Sequence, residues 1–144
     1  MPIVEIQIRD KHFWRLVCPR SFCSHVVKSA WSGSPDAEIS LVLADDNFVH
    51  QLNKQYRNQD RPTNVLSFEN EGLCAGDIVV AYGVLVREAK DQHKSFRAHL
   101  AHLLVHGTLH LQGYDHLTDK QAKKMEHLET KIMQKLGYPD PYKE

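Results

Sequence analysis

The sequence predicts an α+β domain in which a small, about four-stranded mixed sheet packs with about five helices. Three observations carry this. The chain has 144 residues, 42% hydrophobic and 25% charged, which suits one folded core rather than a disordered or fibrous chain. Short segments alternate apolar and polar residues with the period of a half-buried strand, and longer ones repeat their apolar residues at helical spacing. No internal repeat, low-complexity tract or long linker divides the chain, so residues 1–144 are expected to form a single domain.

Val4, Ile6 and Ile8 alternate with polar residues and predict the first strand. After Pro19, the spacing of Phe22, Val26, Val27, Ala30 and Trp31 predicts a helix. Ser32 to Asp36 is a turn cluster. Ile39, Leu41 and Leu43 predict a second strand, and Asp45-Asp46 a helix start, with Phe48, Leu52 and Tyr56 along one face. Arg57 to Pro62 is polar, and Pro62 bars further helix. Val65 to Phe68 is a short strand and Ile78 to Tyr82 a more buried one, with Gly72 and Gly76 in the loop between them. A helix from about Val84 to His93 ends near Ser95, which can cap the next, Phe96 to about Leu111, stopped at Gly113. In the last helix Thr118 and Gln121 make a capping box, Met125, Leu128, Ile132 and Leu136 form the buried stripe, and Gly137 and Pro139 end it. Strand order is not readable from these patterns.

Eighteen basic residues balance eighteen acidic ones, so a polyanionic partner must be held by a local patch rather than a global field. The candidates are Lys54, Arg57 and Arg61, and further on Arg87, Lys90, Lys94 and Arg97, although a solvated helix face explains the second set equally well. Cys18, Cys23 and Cys74 include no C-x-x-C pair, which argues for reduced thiols and a cytoplasmic location and against a thiolate zinc site. The N-terminus has no signal-peptide pattern, and no stretch approaches the ~20 apolar residues of a membrane span.

Histidine is the unusual component: ten in the chain, with His99, His102, His106, His110 and His116 close together. On a helix, His106 and His110 stand about 6 Å apart along the axis and ~40° apart around it, so both rings can reach one ion. A third ligand from the next turn would lie too far along. Gly113 permits a chain reversal, and His116 follows it. The expected ligands are therefore His106, His110 and His116 around one divalent ion. Zinc is the usual occupant of such a site, although nickel and cobalt suit the same donors. Three protein ligands leave an open position for a water whose pKa falls to about 7. His102 lies one turn further back and supports the site or the fold; His99 is a solvated or packed residue. Asp115 either orients an imidazole or forms the turn.

The spacing matches the zincin-like metal helix of the metzincin peptidases, H-E-x-x-H-x-x-G-x-x-H, except that Gly107 stands where their general base would be. A peptidase lacking that glutamate has no group placed to shuttle the proton to the leaving amine.

Three segments together resemble the YbeY family of metal-dependent endoribonucleases. Residues 52–68 resemble its L-N-x-x-Y-R-x-x-D-x-P-T-[DN]-V-L-S-F motif, Gly76-Asp77-Ile78 its G-D-I strand, and residues 106–116 its H-G-x-L-H-L-x-G-Y-D-H signature. The chain differs in carrying Glu69 where family members often have Pro and Ala75 where many have Leu, both at the expected cleft rim. The resemblance implies an α+β fold, zinc at the three histidines, and action on ribosomal RNA in small-subunit maturation and ribosome quality control, with a ribosomal protein as a further candidate partner. It also implies a role in activity for Arg57, whose guanidinium can grip a phosphate; pairing with an aspartate at the helix end is the alternative. Asp60 and Asp77 read as loop-fixing or strand-fixing residues. Three functions are carried forward: a zinc-dependent endoribonuclease, a non-catalytic, metal-stabilised ribosome assembly factor, and a peptidase-like zincin weakened by Gly107. The sequence assigns no oligomeric state.

Overall fold

The computed structural model describes residues 1–59, 61, 63–69 and 74–142. Asp60, Pro62 and Gly72 lie outside the described residues, as does the side chain of Cys74. The elements run β1 (Ile3–Ile8), a 3-10 helix (Lys11–Arg15), α1 (Pro19–Ala30), β2 (Glu38–Ala44), α2 (Asp46–Arg57), β3 (Val65–Glu69), β4 (Cys74–Ala81), α3 (Tyr82–Asp91), α4 (Phe96–Leu111) and α5 (Asp119–Lys135). This is the expected α+β arrangement of four strands and five α-helices.

The sheet is mixed, in the order β1-β2-β4-β3. β1, β2 and β4 are parallel, with Ile6 opposite Leu41 and Leu41 opposite Ile78. β3 runs antiparallel at the edge, Ser67 opposite Ile78. Because successive strand residues face opposite sides, β4 divides its side chains between two cores. Ile78 and Val80 join Leu41, Leu43, Leu100 and Leu104 in the main core. Val79 and Ala81 join Val49 and Leu66 beneath α2. Burial of each such leucine contributes about 1.5–3 kcal/mol, and α4, buried on most of its circumference, is the helix on which the main core is assembled.

Four features differ from expectation. β4 begins at Cys74 and contains Gly76, placed by the sequence pattern in a loop. The register passes from Glu38–Cys74 to Ile39–Gly76, so Ala75 is an extra residue that breaks the two-residue period. Gly76 has φ +150°, and a Cβ there would sit 2.3 Å from the Phe68 carbonyl oxygen. α3 starts at Tyr82, the residue expected to end the strand. Phe13, fully buried on the 3-10 helix, belongs to a turn too short to show a helical period. On α2 the buried residues are Val49 and Asn53, and Tyr56 is 63% exposed.

The expected caps are present. The Asp45 carboxylate accepts from the Phe48 backbone N–H, the Ser95 hydroxyl from Ala98, and Thr118 with Gln121 forms the capping box. α5 is rotated from the predicted stripe: Met125, Glu129 and Met133 are buried, and Leu128, Ile132 and Leu136 pack half-buried at its flanks. Cys18 and Cys23 are free thiols. No helix among the described residues is long and apolar enough to cross a membrane.

Candidate metal centre and its cleft

Ser95 fixes the start of α4, and the helical pitch aligns His102, His106 and His110 along one face. The helix ends as Gly113 takes φ +92°, a conformation that costs a residue without a Cβ little. The backbone N–H of Gly113 reaches the His110 carbonyl at 3.0 Å, and that of Tyr114 the Leu109 carbonyl at 3.2 Å. The reversed chain then delivers His116. The ring centroids of His106 and His110 are 4.5 Å apart, those of His110 and His116 5.2 Å, and those of His106 and His116 5.6 Å. One nitrogen from each ring lies within 4.8 Å of the others. The Nε2 atoms of His106 and His110 face each other at 3.0 Å, near the ~3.3 Å between two nitrogens on a tetrahedral zinc.

The sequence pattern missed the residue that orients this centre. Glu129, with 0% of its surface exposed, reaches α4 from α5. One carboxylate oxygen accepts from His106 Nδ1, and the other accepts from His102 Nε2 at 3.1 Å and from the Tyr142 hydroxyl. A carboxylate can only accept here, so His106 carries its proton on Nδ1 and its lone pair on Nε2, the atom facing His110. Burial alone would raise the Glu129 carboxyl, but hydrogen bonds from His102, His106 and Tyr142 outweigh it and hold the group at about 2. Burial, followed by the neighbouring His106 and His116 rings, lowers His110 from its usual value and favours its neutral, ligating form. Converging nitrogens, a fixed tautomer and a neutral ring all fit a divalent ion. The signal for Glu129 was in the sequence: a glutamate four residues after Met125 and four before Met133, in the middle of an apolar stripe.

His99 is buried and packed, with Nε2 2.9 Å from a Glu88 carboxylate oxygen; burial lowers its pKa and Glu88 only partly restores it. His102 supports the centre through Glu129 and lies outside the converging trio. The Asp115 carboxylate accepts from the His116 backbone N–H at 2.8 Å and lies 3.9 Å from His116 Nδ1. Asp77 lies in β4, opposite Phe68 of β3.

A cleft of about 800 Å³ contains all three histidines, with Arg57, Arg61 and Ser67 in its walls. Arg57, at the end of α2, donates to the Ser67 carbonyl on the edge strand, and its guanidinium lies 5.1 Å from the centre of the Phe68 ring. The motif arginine and the histidines therefore share one cleft although some fifty residues separate them. The later basic residues do not gather there. Arg87 pairs with Asp46 at 2.9 Å, Arg97 covers the Phe22 ring, and Lys94 donates to the Pro141 carbonyl at 2.6 Å. α3, α4 and the connection between them direct these side chains to separate neighbours.

The structure also explains Gly107. A Cβ there would meet Ile78 Cγ2 at 3.0 Å and Ser67 Oγ at 3.1 Å, and the Ser67 hydroxyl donates to the Gly107 carbonyl at 3.1 Å. β3 packs directly on the metal-site helix at this point. A side chain here needs Ile78 and Ser67 to give way by a few tenths of an ångström, so the tight approach of the sheet favours glycine where the metzincins carry their general base.

Comparison with known proteins agrees with this architecture. The family described as Endoribonuclease YbeY matches residues 17–137. An Endoribonuclease YbeY of Sinorhizobium medicae is 54% identical across 74% of this chain and 68% of its own length. Another, of Methylocella silvestris, is 42% identical across 99% of this chain and 87% of its own. The solution structure of TM1509 from Thermotoga maritima superposes with a TM-score of 0.64 at 26% identity, covering 99% of this chain and 100% of that one. A family match over most of the chain, the shared fold and a histidine trio able to hold a metal ion lead to one conclusion: this chain belongs to the endoribonuclease YbeY family.

Proposed function

We propose that this chain is a zinc-dependent endoribonuclease of the cytoplasm that processes ribosomal RNA in small-subunit maturation and quality control. The observation that carries the reading is the presence of the Glu129-oriented histidine trio and Arg57 in one cleft. His106, His110 and His116 would hold the ion. When bound, zinc supplies a Lewis acid for a phosphoryl oxygen and lowers the pKa of a water molecule.

The remaining chemistry belongs to the chain. Arg57 is anchored by the Ser67 carbonyl, and a guanidinium has five N–H donors. Those left over can hold a non-bridging phosphate oxygen and stabilise the charge that develops on it. Gly107 leaves the position of the metzincin base without a carboxylate. The attacking group would be a water molecule or the 2′-hydroxyl that RNA carries next to each phosphate, in either case with its proton passing to solvent. Small-subunit ribosomal RNA is the proposed substrate and a ribosomal protein a proposed partner. The same absence of a base supports a second reading, a metal-stabilised assembly factor that binds pre-ribosomal RNA without cutting it.

The test measures zinc content and cleavage of structured ribosomal RNA by wild type, His110→Ala and Arg57→Glu. His110→Ala should lose zinc and cleavage together. Arg57→Glu should keep zinc and fold while cleavage falls by about 10²–10³-fold. Unchanged cleavage by His110→Ala refutes the nuclease reading. RNA binding without cleavage by any of the three proteins favours the assembly factor.

A further inference from the structure

The chain beyond α5 does more than end the fold. Gly137 takes φ +95°, and the Tyr138 backbone N–H bonds to the Met133 carbonyl at 2.9 Å, so residues 138–142 turn back along the helices. This strap is pinned at several points. The Asp140 carboxylate accepts from the Thr130 hydroxyl at 3.2 Å and from the Tyr142 backbone N–H at 2.8 Å. Lys94 holds the Pro141 carbonyl at 2.6 Å. The Tyr142 ring stands edge-on to His102, with centroids 5.3 Å apart. Its hydroxyl donates to the Glu129 oxygen that also accepts from His102.

We propose that Tyr142 is a positioning residue for the metal centre, acting through Glu129 on His106. Resting on the reading of the histidine trio as a metal site, it extends that site to the C-terminal strap. Glu129 needs both oxygens occupied to stay in one rotamer. One oxygen must face His106 Nδ1 for the Nε2 lone pair to meet the ion, and His102 and Tyr142 fix the other. Without the hydroxyl, the carboxylate keeps a single partner on that oxygen and gains room to rotate away from His106. Ligand-orienting partners of this kind change metal affinity about 10–100-fold when removed, and a residue one bond further out should have a smaller effect.

The experiment titrates Zn²⁺ against a chromogenic chelator in competition with the metal-free full chain. It compares wild type, Tyr142→Phe, Glu129→Gln and the double variant. Tyr142→Phe keeps the ring against His102 and removes only the oxygen from a residue that is 46% exposed, so the fold is expected to persist. Thermal unfolding of the metal-free variant checks this. Zinc affinity should fall about three- to tenfold in Tyr142→Phe and about 10–100-fold in Glu129→Gln. The double variant should bind within about twofold of Glu129→Gln, because a residue acting through Glu129 has no effect once Glu129 is altered. Wild-type affinity in Tyr142→Phe overturns the proposal. So does full multiplication of the two losses in the double variant, which marks Tyr142 as an independent structural contact. Failure of wild type itself to bind zinc refutes the metal centre, and the proposal with it.

Discussion

Replacing Glu129 with glutamine isolates what the buried carboxylate contributes to the metal-free fold. Its carboxyl is held at about 2 instead of the usual 4.5, and at ~1.4 kcal/mol per pH unit this difference is worth about 3 kcal/mol of stability. The sign follows from the direction of the change. A carboxyl lowered in the folded state stabilises fully above its unfolded value, and the benefit is lost as pH falls from about 4.5 toward 2; roughly two fifths remains at pH 3. The substituted amide would also set its NH₂ against donors from His102, His106 or Tyr142. Glu129→Gln should therefore be about 3 kcal/mol less stable at pH 7, a loss of roughly 10 °C in Tm for a chain of this size. Urea unfolding of metal-free wild type and variant, measured from pH 7 down to pH 3, gives the gap directly. A gap that closes with acid supports the reasoning. No gap at pH 7, or one of equal size at pH 3, refutes it.

Other changes test the packing around the centre. Gly107→Ala gains ~1 kcal/mol of helix propensity but pushes a methyl group against Ile78 and Ser67, where overpacking costs about 1–3 kcal/mol; thermal unfolding should show a lower Tm, and a higher one would mean that β3 yields freely. Burial raises the Cys23 thiol to about 12, so iodoacetamide at pH 8 should label exposed Cys18 in the native chain and Cys23 only after denaturation, as peptide mass analysis would show; equal labelling contradicts the burial. Thr118→Ala removes the capping box of α5 and should cost about 1 kcal/mol in urea unfolding, with the histidine trio unaffected.

Features governed by nearby residues are legible in the sequence. Asp45, Ser95 and Thr118 cap the helices they precede because each side chain reaches backbone N–H groups only two or three residues ahead. The histidine trio is legible because a helix pitch and one glycine-assisted reversal relate all three rings within eleven residues. Where two distant segments meet, the pattern is silent or misleading. Ala75 and Gly76 read as loop because the bulge at Ala75 in β4 exists only opposite β2. Tyr56 lies on the predicted apolar face of α2 but is exposed, since Val49, with Phe48 and Leu52 half-buried beside it, makes the packing on the sheet and Tyr56 at the helix end does not join it.

The amino-acid order by itself determined the kind of protein this is: strands and helices of the right period, and three imidazoles spaced to converge. Tertiary structure alone decided how those imidazoles are held. It brought a carboxylate from α5 to His106 and a hydroxyl from the C-terminal strap to that carboxylate. It placed Arg57 in the histidine cleft and packed Gly107 closely against Ile78 and Ser67 of the sheet. Burying a charged group is favourable only where its hydrogen-bond partners arrive from elsewhere in the chain, and those long-range pairings have no period for a sequence to display.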